Sequence, residues 1–316
     1  MIRHRANDPS GLFRRGSGRL TIAGGVPRVE DCVCAELLNI TRPKSVAAGH
    51  ERLLRSGARI LFTNTSGAAP QILDRYRMHD EAFAVSYLAA EIASRVAEKF
   101  GAYDDRPKVV GDVRVPWHLP KRGYLTGGEI EDAAASMTAA QIAGGVDAIH
   151  LRAVGFPGHL AAAFAGAREG MGEAGRTVPV MVSVAGDMGV TDVDQAIGAR
   201  DLVSTAILAH GLGATALSIA VDDDEATYRH LSALTTRVDT PLFLSPSASE
   251  SVARNCISDP TIGPRLAFVG ADSPAQAWRL SRFAAPPRAW YSCPVALNEN
   301  APVPLAAPFA RSGGAR

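Results

Sequence analysis

The sequence predicts an α/β protein built as a single (β/α)8 TIM barrel with short irregular N- and C-terminal arms. Three observations carry that expectation. Eight short apolar segments recur along the 316 residues, helix-forming stretches alternate with them, and three of those stretches stop at a glycine just before the next apolar segment. Continuous apolar strands alternating with amphipathic helices indicate a parallel sheet covered by helices. Eight such units in roughly 265 residues fit a closed barrel better than an open sheet. The structural alternative is an open doubly wound sheet. No Gly-x-Gly-x-x-Gly follows the first strand, which weighs against a dinucleotide-binding version of it.

In chain order the expected strands are Leu20–Ala23, Ala58–Phe62, Lys108–Asp112, Asp147–Leu151, Val178–Val184, Ala214–Ile219, Pro241–Leu244 and Leu266–Val269. A polar helix running from His50 stops at Gly57 before the second strand. Another runs from Thr138 to Gly145 before the fourth, and a third from Leu202 to Gly213 before the sixth. Glycine just past the last helical turn is the expected stop, because it takes the left-handed conformation without strain. Helices are expected over Asp80–Phe100 after the second strand, Glu129–Ala143 after the third and Asp192–His210 after the fifth. In Glu129–Ala143, Ile130, Ala134, Met137 and Ala140 fall at helical spacing. Residues 1–18 form a basic arm without periodicity, 19–285 the barrel, and 286–316 a Pro/Ala-rich tail. Within that tail Trp290, Tyr291 and Val295 are apolar enough to dock on the body or on a second subunit.

Hydrophobic residues make up 47% and charged residues 21% of the chain, which excludes a disordered protein. The net charge of +1 is uneven: residues 1–19 carry +4 and 286–316 carry +2, leaving −5 on 20–285. A mildly acidic body argues against nucleic acid as a partner. No run of 18 apolar residues exists, so no membrane span is expected. The Arg-rich N-terminus has no apolar segment behind it, so it does not read as a secretory signal, and a cytoplasmic location is expected. Four cysteines in a chain of this length do not make a disulfide scaffold.

Two motifs carry more specific information. Leu38-Asn39-Ile40-Thr41-Arg42-Pro43 leads into a helix that ends at Gly57, and the following strand leads into Thr63-Asn64-Thr65-Ser66-Gly67-Ala68. This combination resembles the homocysteine S-methyltransferase family. Weaker echoes are Gly111 at the third strand, Gly145-Val146-Asp147 before the fourth, and the spacing of strands five to eight. The resemblance covers about 20–285 and implies a TIM barrel, with zinc held by three cysteines at the ends of strands six and eight. It also implies departures. Val221 stands at the strand-six ligand position, and Ala271 and Asp272 stand at the two strand-eight positions. Ala23 replaces the acid before Gly24-Gly25, Phe62 the acid before Thr63, and Arg152 the Glu that ends strand four.

The chemical consequence is direct. Methyl transfer to homocysteine needs a thiolate, a free thiol has a pKa near about 8.5, and zinc supplies the deprotonation. Valine and alanine cannot ligate zinc, and one aspartate is a poor soft-metal site. No cofactor is therefore expected, and zinc is expected to be absent. Cys32 and Cys34 in the first βα loop, Cys256 and Cys293 do not have the common Cys-x-x-Cys zinc spacing and read as small apolar side chains.

In such a barrel the strand ends face the functional mouth. The candidates there are Gly24, Gly25, Thr63, Asn64, Asp112, Arg114, Arg152, Ser183, Asp187, Ser218, Asp222, Ser245, Asp272 and Ser273. Gly24, Gly25, Thr63, Asn64, Asp112 and Ser245 are the expected ligand contacts, and Arg152, Asp272 and His150 are the candidate chemical groups. Thr63-Asn64 reads equally as a brace for the mouth. His150 and Arg152 share strand parity, so both are expected to point inward. Arg152 would then pair with Asp112, Asp222 or Asp272, Asp272 and Asp112 being the favoured partners, or else hold an anion. Asp222-Asp223-Asp224-Glu225 reads as a solvated helix N-terminus more readily than as a Mg or Ca site. Trp117–Arg122 reads as a surface loop or a lid.

Three functions remain open. The first is a non-catalytic subunit or binding partner, forming homo- or hetero-oligomers with a family member. The second is a diverged enzyme acting on another small-molecule ligand. The third is a methyltransferase that works without zinc.

Overall fold

The computed structural model describes residues 21–24, 34–101, 106–119, 122–154, 156–185, 192–221, 223–246 and 248–283. The two expected arms, 1–18 and 286–316, lie outside these residues, as do Gly25, Cys32, Asp187, Asp222 and Cys293.

Eight parallel strands close into a barrel. They are β1 (Thr21–Gly24), β2 (Ile60–Phe62), β3 (Lys108–Val113), β4 (Ala148–Val154), β5 (Val180–Ala185), β6 (Ala216–Ala220), β7 (Leu242–Leu244) and β8 (Leu266–Ala271). Neighbours in sequence are neighbours in space, and β1 closes onto β8 through the register Thr21↔Phe268 to Gly24↔Ala271. All eight expected strands are present within two residues of their expected starts and ends, except that β4 runs on to Val154. The expected helices lie at Pro43–Arg55, Ala82–Glu98, Gly127–Ala143 and Asp192–Gly211. The three glycine stops take φ of +99° at Gly57, +100° at Gly145 and +96° at Gly213, a region where a Cβ is strained.

Helix starts follow the same local rules. Thr126 and Glu129 form a reciprocal capping box at Gly127–Ala143. In the acidic run after β6, Asp223 is the N-cap of Asp224–Thr235, its carboxylate accepting the Ala226 N–H at 2.7 Å. His118–Leu119 and Gly123–Tyr124 pair as two short antiparallel strands, and the Trp117 ring packs at 4.8 Å from both Tyr124 and Phe156. Among the described residues no helix is long and apolar enough to cross a membrane.

The barrel interior has two layers of different chemistry. The lower is apolar, with Ala23, Ile60, Phe62, Val110, Ala148, Met181, Ala216, Phe243, Ala267 and Phe268 packed together, all buried. Toward the strand ends the inward positions turn polar: Asp112, His150, Ser183 and Ser218 are each at most 2% exposed. Strand alternation places all four on the inner face, since each lies two residues beyond an apolar inward neighbour.

Outside the barrel, the helices Gly127–Ala143 and Pro157–Glu173 meet backbone to backbone. A Cβ on Gly166 would lie 2.1 Å from the Glu131 carbonyl oxygen, and one on Gly170 would lie 2.3 Å from that of Ala135. Gly172 on the same helix faces open space. Gly170→Ala is therefore expected to cost about 1–3 kcal/mol by forcing the helices apart. Gly172→Ala should be neutral or slightly stabilising, since alanine is the better helix former. Urea unfolding of the two variants side by side checks the contrast, and equal midpoints would contradict this packing.

Candidate functional site

The mouth is organised around Asp112 at the end of β3. Its side chain is fully buried and accepts three hydrogen bonds. His150 Nδ1 donates to Oδ1 at 2.8 Å, while Ser66 Oγ and Arg152 Nη2 donate to Oδ2 at 2.7 and 3.1 Å. Its backbone is held as firmly. The Asp112 N–H donates to Thr63 Oγ1 at 2.9 Å, and its carbonyl accepts Thr65 Oγ1 at 2.6 Å and Gln141 Nε2 at 3.3 Å. Thr63 Oγ1 in turn donates to Gln141 Oε1 at 2.8 Å. β2, β3, β4 and the helix Gly127–Ala143 are thereby tied at one residue.

The second link runs through His150, whose ring is buried edge-on between Phe62 and Phe243 at 5.3 and 5.5 Å. A carboxylate only accepts, so Nδ1 carries the proton toward Asp112. Nε2 is then the acceptor for Ser183 Oγ at 2.7 Å. Burial pushes the His150 pKa down, and although the Asp112 carboxylate opposes this, the nearby Arg152 charge adds to the lowering. Burial alone would raise the Asp112 pKa. The Arg152 charge, then the His150 contact and the Ser66 hydrogen bond outweigh it and hold Asp112 below the usual carboxylate range.

The expected parity holds, since His150 and Arg152 both reach Asp112 from β4. Of the acids favoured opposite Arg152, Asp112 supplies the carboxylate. Asp272 instead stands exposed, its N–H donating to Gln276 Oε1 at 2.7 Å. Arg152 retains 28% side-chain exposure, so it lies on the solvent side of the pair.

Thr63 and Asn64 are both buried and hydrogen-bonded within the mouth. Thr63 is committed to Asp112 and Gln141, and Asn64 Nδ2 donates to the Ala35 carbonyl at 2.7 Å and to Asn39 Oδ1 at 3.1 Å. Asn39 Nδ2 returns a bond to the Asn64 carbonyl at 2.9 Å, so the two sequence motifs are one structural unit. Gly24 does not face the mouth: a Cβ there would meet Leu53 of the covering helix at 3.0 Å. Ser245 is buried just past β7, its carbonyl accepting the Ala248 N–H at 2.9 Å. Val221 is half-buried against the core and Ala271 is fully buried at the end of β8. Hydrocarbon at two of three positions and one exposed carboxylate do not fit a thiophilic metal. Among the described residues no group of three His, Cys, Asp or Glu side chains is placed to hold a metal. Cys34 and Cys256 are buried thiols, and burial pushes Cys256 up to about 12.

Sequence reasoning missed Ser66 and Gln141. Gln141 had a signal: it falls seven residues after Ala134 and four after Met137, a polar side chain on the apolar stripe.

Comparison with known proteins completes the picture. Residues 8–255 match the family model for homocysteine S-methyltransferase. The chain is 31% identical over 216 residues to a methionine synthase of Mycobacterium tuberculosis, covering 68% of this chain. It is 30% identical over the same length to that of Mycobacterium leprae. It spans only 18% of the length of either. The homocysteine methyltransferase MmuM of Escherichia coli shares the fold. In its oxidised form the TM-score is 0.67 at 16% identity, covering 87% of this chain and 99% of that one. In its metallated form the TM-score is 0.67 at 15% identity over the same coverage.

The ion pair sets two expectations. Arg152→Met leaves a buried carboxylate unpaired and should cost about 3 kcal/mol, the low end for a buried pair because the arginine is partly exposed. Adding Asp112→Asn should recover part of that loss in a double-mutant cycle. The pH dependence has a fixed sign. Asp112 has a depressed folded pKa, so its contribution is present above about 3.9 and lost as pH falls further. His150, also depressed, stays neutral when folded, whereas its unfolded form protonates below about 6.5; stability therefore falls with pH from there. His50, lowered to about 4 by burial alone, acts with the same sign between 6.5 and 4. Unfolding free energies measured from pH 7 to 4 should decline, and His150→Gln should flatten the decline. A wild-type curve that rises over this interval would contradict the assignment.

Proposed function

The chain belongs to the homocysteine S-methyltransferase family, and from that premise we propose that it has left zinc-dependent methyl transfer behind and serves as a non-catalytic subunit or binding partner. The observation that carries this reading is hydrocarbon at Val221 and Ala271, where the family resemblance implies soft ligands, beside a mouth whose central groups, Asp112, His150 and Arg152, bond to one another.

The physical case runs through the nucleophile. Homocysteine is a methyl acceptor only as its thiolate, and without a metal a few per cent of a thiol is ionised at neutral pH. Arg152 could lower a thiol's pKa by charge, but Asp112 already compensates that charge at 3.1 Å. His150 is the nearest base, yet it lies fully buried between two phenylalanines, and its free lone pair is engaged by Ser183. Among the described residues nothing at this mouth takes over the role of zinc. The partner that suits the reading is a second family member retaining all three cysteines, with this barrel supporting it. The mouth would then keep, at most, a small-molecule ligand held near Arg152.

The alternative, a diverged enzyme, is favoured by one specific observation: a neutral histidine aligned between a carboxylate and a serine hydroxyl.

Purified protein dialysed against buffer without chelator should hold well below one zinc per chain by elemental analysis. It should show no methylation of homocysteine with S-methylmethionine, betaine or methylcobalamin, with or without added zinc. A full equivalent of zinc, or turnover with any of the three donors, would overturn the proposal.

A further inference from the structure

The polar layer of the barrel holds an arrangement that thiol methylation has no use for. We propose that Ser183 is an acyl-transfer nucleophile, with His150 as its general base and Asp112 orienting that base, acting on short esters or thioesters that carry a carboxylate.

The geometry comes first. Asp112 Oδ1, His150 Nδ1, His150 Nε2 and Ser183 Oγ form one chain with links of 2.8 and 2.7 Å. The carboxylate fixes the proton on Nδ1, and the Nε2 lone pair then faces the serine hydroxyl. This is the tautomer a general base needs to take the hydroxyl proton. The imidazole is also kept neutral, first by its burial and further by the Arg152 charge beside Asp112. The lone pair is therefore available at neutral pH.

Ser218 provides an independent observation. Met181 and Ala216 pair in register and both belong to the barrel interior. Two residues further, Ser183 and Ser218 pair on the same inner face, one layer nearer the mouth. Ser218 is fully buried, and its hydroxyl makes no hydrogen bond among the described residues. A buried hydroxyl with no partner is costly unless something else uses it. Beside a nucleophile, it is placed to donate to the oxygen that gains charge when the serine adds to a carbonyl.

Arg152 supplies recognition. It pairs in register with Ser183 across β4 and β5 and is partly open to solvent. Its side chain uses one nitrogen, Nη2, on Asp112. The remaining guanidinium donors suit a substrate carboxylate.

The reaction balances with water as the only co-reactant. Ser183 Oγ bonds to the acyl carbon while its proton passes to His150 Nε2. The bond to the alcohol or thiol leaving group then breaks, and that group takes the proton from Nε2. Water next gives a proton to Nε2 and its oxygen to the acyl carbon. The Ser183–acyl bond breaks, the proton returns to Ser183, and a carboxylic acid leaves.

The test uses the full chain with an alkyl fluorophosphonate and with two chromogenic probes, p-nitrophenyl monosuccinate and p-nitrophenyl acetate. Mass spectrometry should find one phosphonyl adduct per chain, on Ser183, and Ser183→Ala should abolish both adduct and turnover while remaining folded, with a lowered melting point because the buried His150 Nε2 loses its donor. His150→Ala should slow labelling by about 100-fold or more. Asp112→Asn should shift the pH–rate profile, which a purely structural role would leave in place. Arg152→Gln should raise KM for the succinate ester and not for the acetate. Ser183→Cys provides a second readout. Its alkylation by iodoacetamide should be flat from pH 6 to 8 if His150 takes the proton. A rate climbing like that of an ordinary thiol, near about 8.5, would overturn the proposal, as would a wild-type protein with no adduct on Ser183. The proposal rests on the diverged-enzyme alternative and competes with the non-catalytic reading: labelling and turnover at Ser183 would replace that reading, zinc or homocysteine turnover would sink the loss of methyl transfer alone, and an unlabelled Ser183 would sink this proposal alone.

Discussion

One buried carboxylate dictates the architecture of the mouth. Asp112 sits at the end of β3 with no exposed surface, and an ionised group in that position is tolerated only when paired and hydrogen-bonded. Its side chain therefore recruits Arg152 and His150 from β4 and Ser66 from the loop after β2. Its backbone recruits Thr63, Thr65 and Gln141. The loop after β2 cannot move without breaking bonds to Asp112, and Asn64 extends the same constraint to Asn39 and the segment before the first covering helix. The ends of β3 and β4 and the loop after β2 are thereby committed to one another.

The exchange of chemistry is coherent across several positions. Val221 and Ala271 contribute hydrocarbon where the family resemblance implies sulfur, and the charge at residue 152 has the opposite sign to that implied for the family. Where the family resemblance implies an acid at the end of β4, this mouth instead pairs a buried carboxylate with an arginine. Arg152 acts through an inward-facing position on β4, whose register is set by the apolar layer beneath, while Val221 and Ala271 pack against the core between the barrel and its helices. The fold and the chemistry of the mouth are separable, and family membership speaks to the first more strongly than to the second.

The strands and glycine stops were legible because they follow local rules: an apolar run, a helical period, a left-handed terminus at Gly57, Gly145 and Gly213. The inward parity of His150 and Arg152 was legible for the same reason. The direction of Gly24 was not, because parity on a four-residue strand has no anchor until β1 is placed against Leu53 and β8. Asp112 and Asp272 could not be told apart as partners for Arg152, since both end strands of one barrel. The register Asp112↔His150 between β3 and β4 places Asp112 beside the basic residues. The Asn39–Asn64 bond joins residues 25 apart, and a contact of that kind has no sequence period to reveal it. The acidic run at 222–225 was legible in part, because an N-cap is a local event and Asp223 behaves as one.

Charge accounting within the network explains why the histidine takes the form it does. Asp112 offers one negative charge to two basic side chains in a space where a second uncompensated cation would be costly. Arginine does not give up its proton in proteins, so the adjustment falls on histidine. Arg152 thus keeps the charge, His150 stays neutral, and the Asp112 carboxylate decides which ring nitrogen holds the remaining proton. Ser183 then has only a lone pair to face, and its hydroxyl must donate. Burial is the first reason that His150 stays neutral, and the Arg152 charge beside Asp112 adds to it.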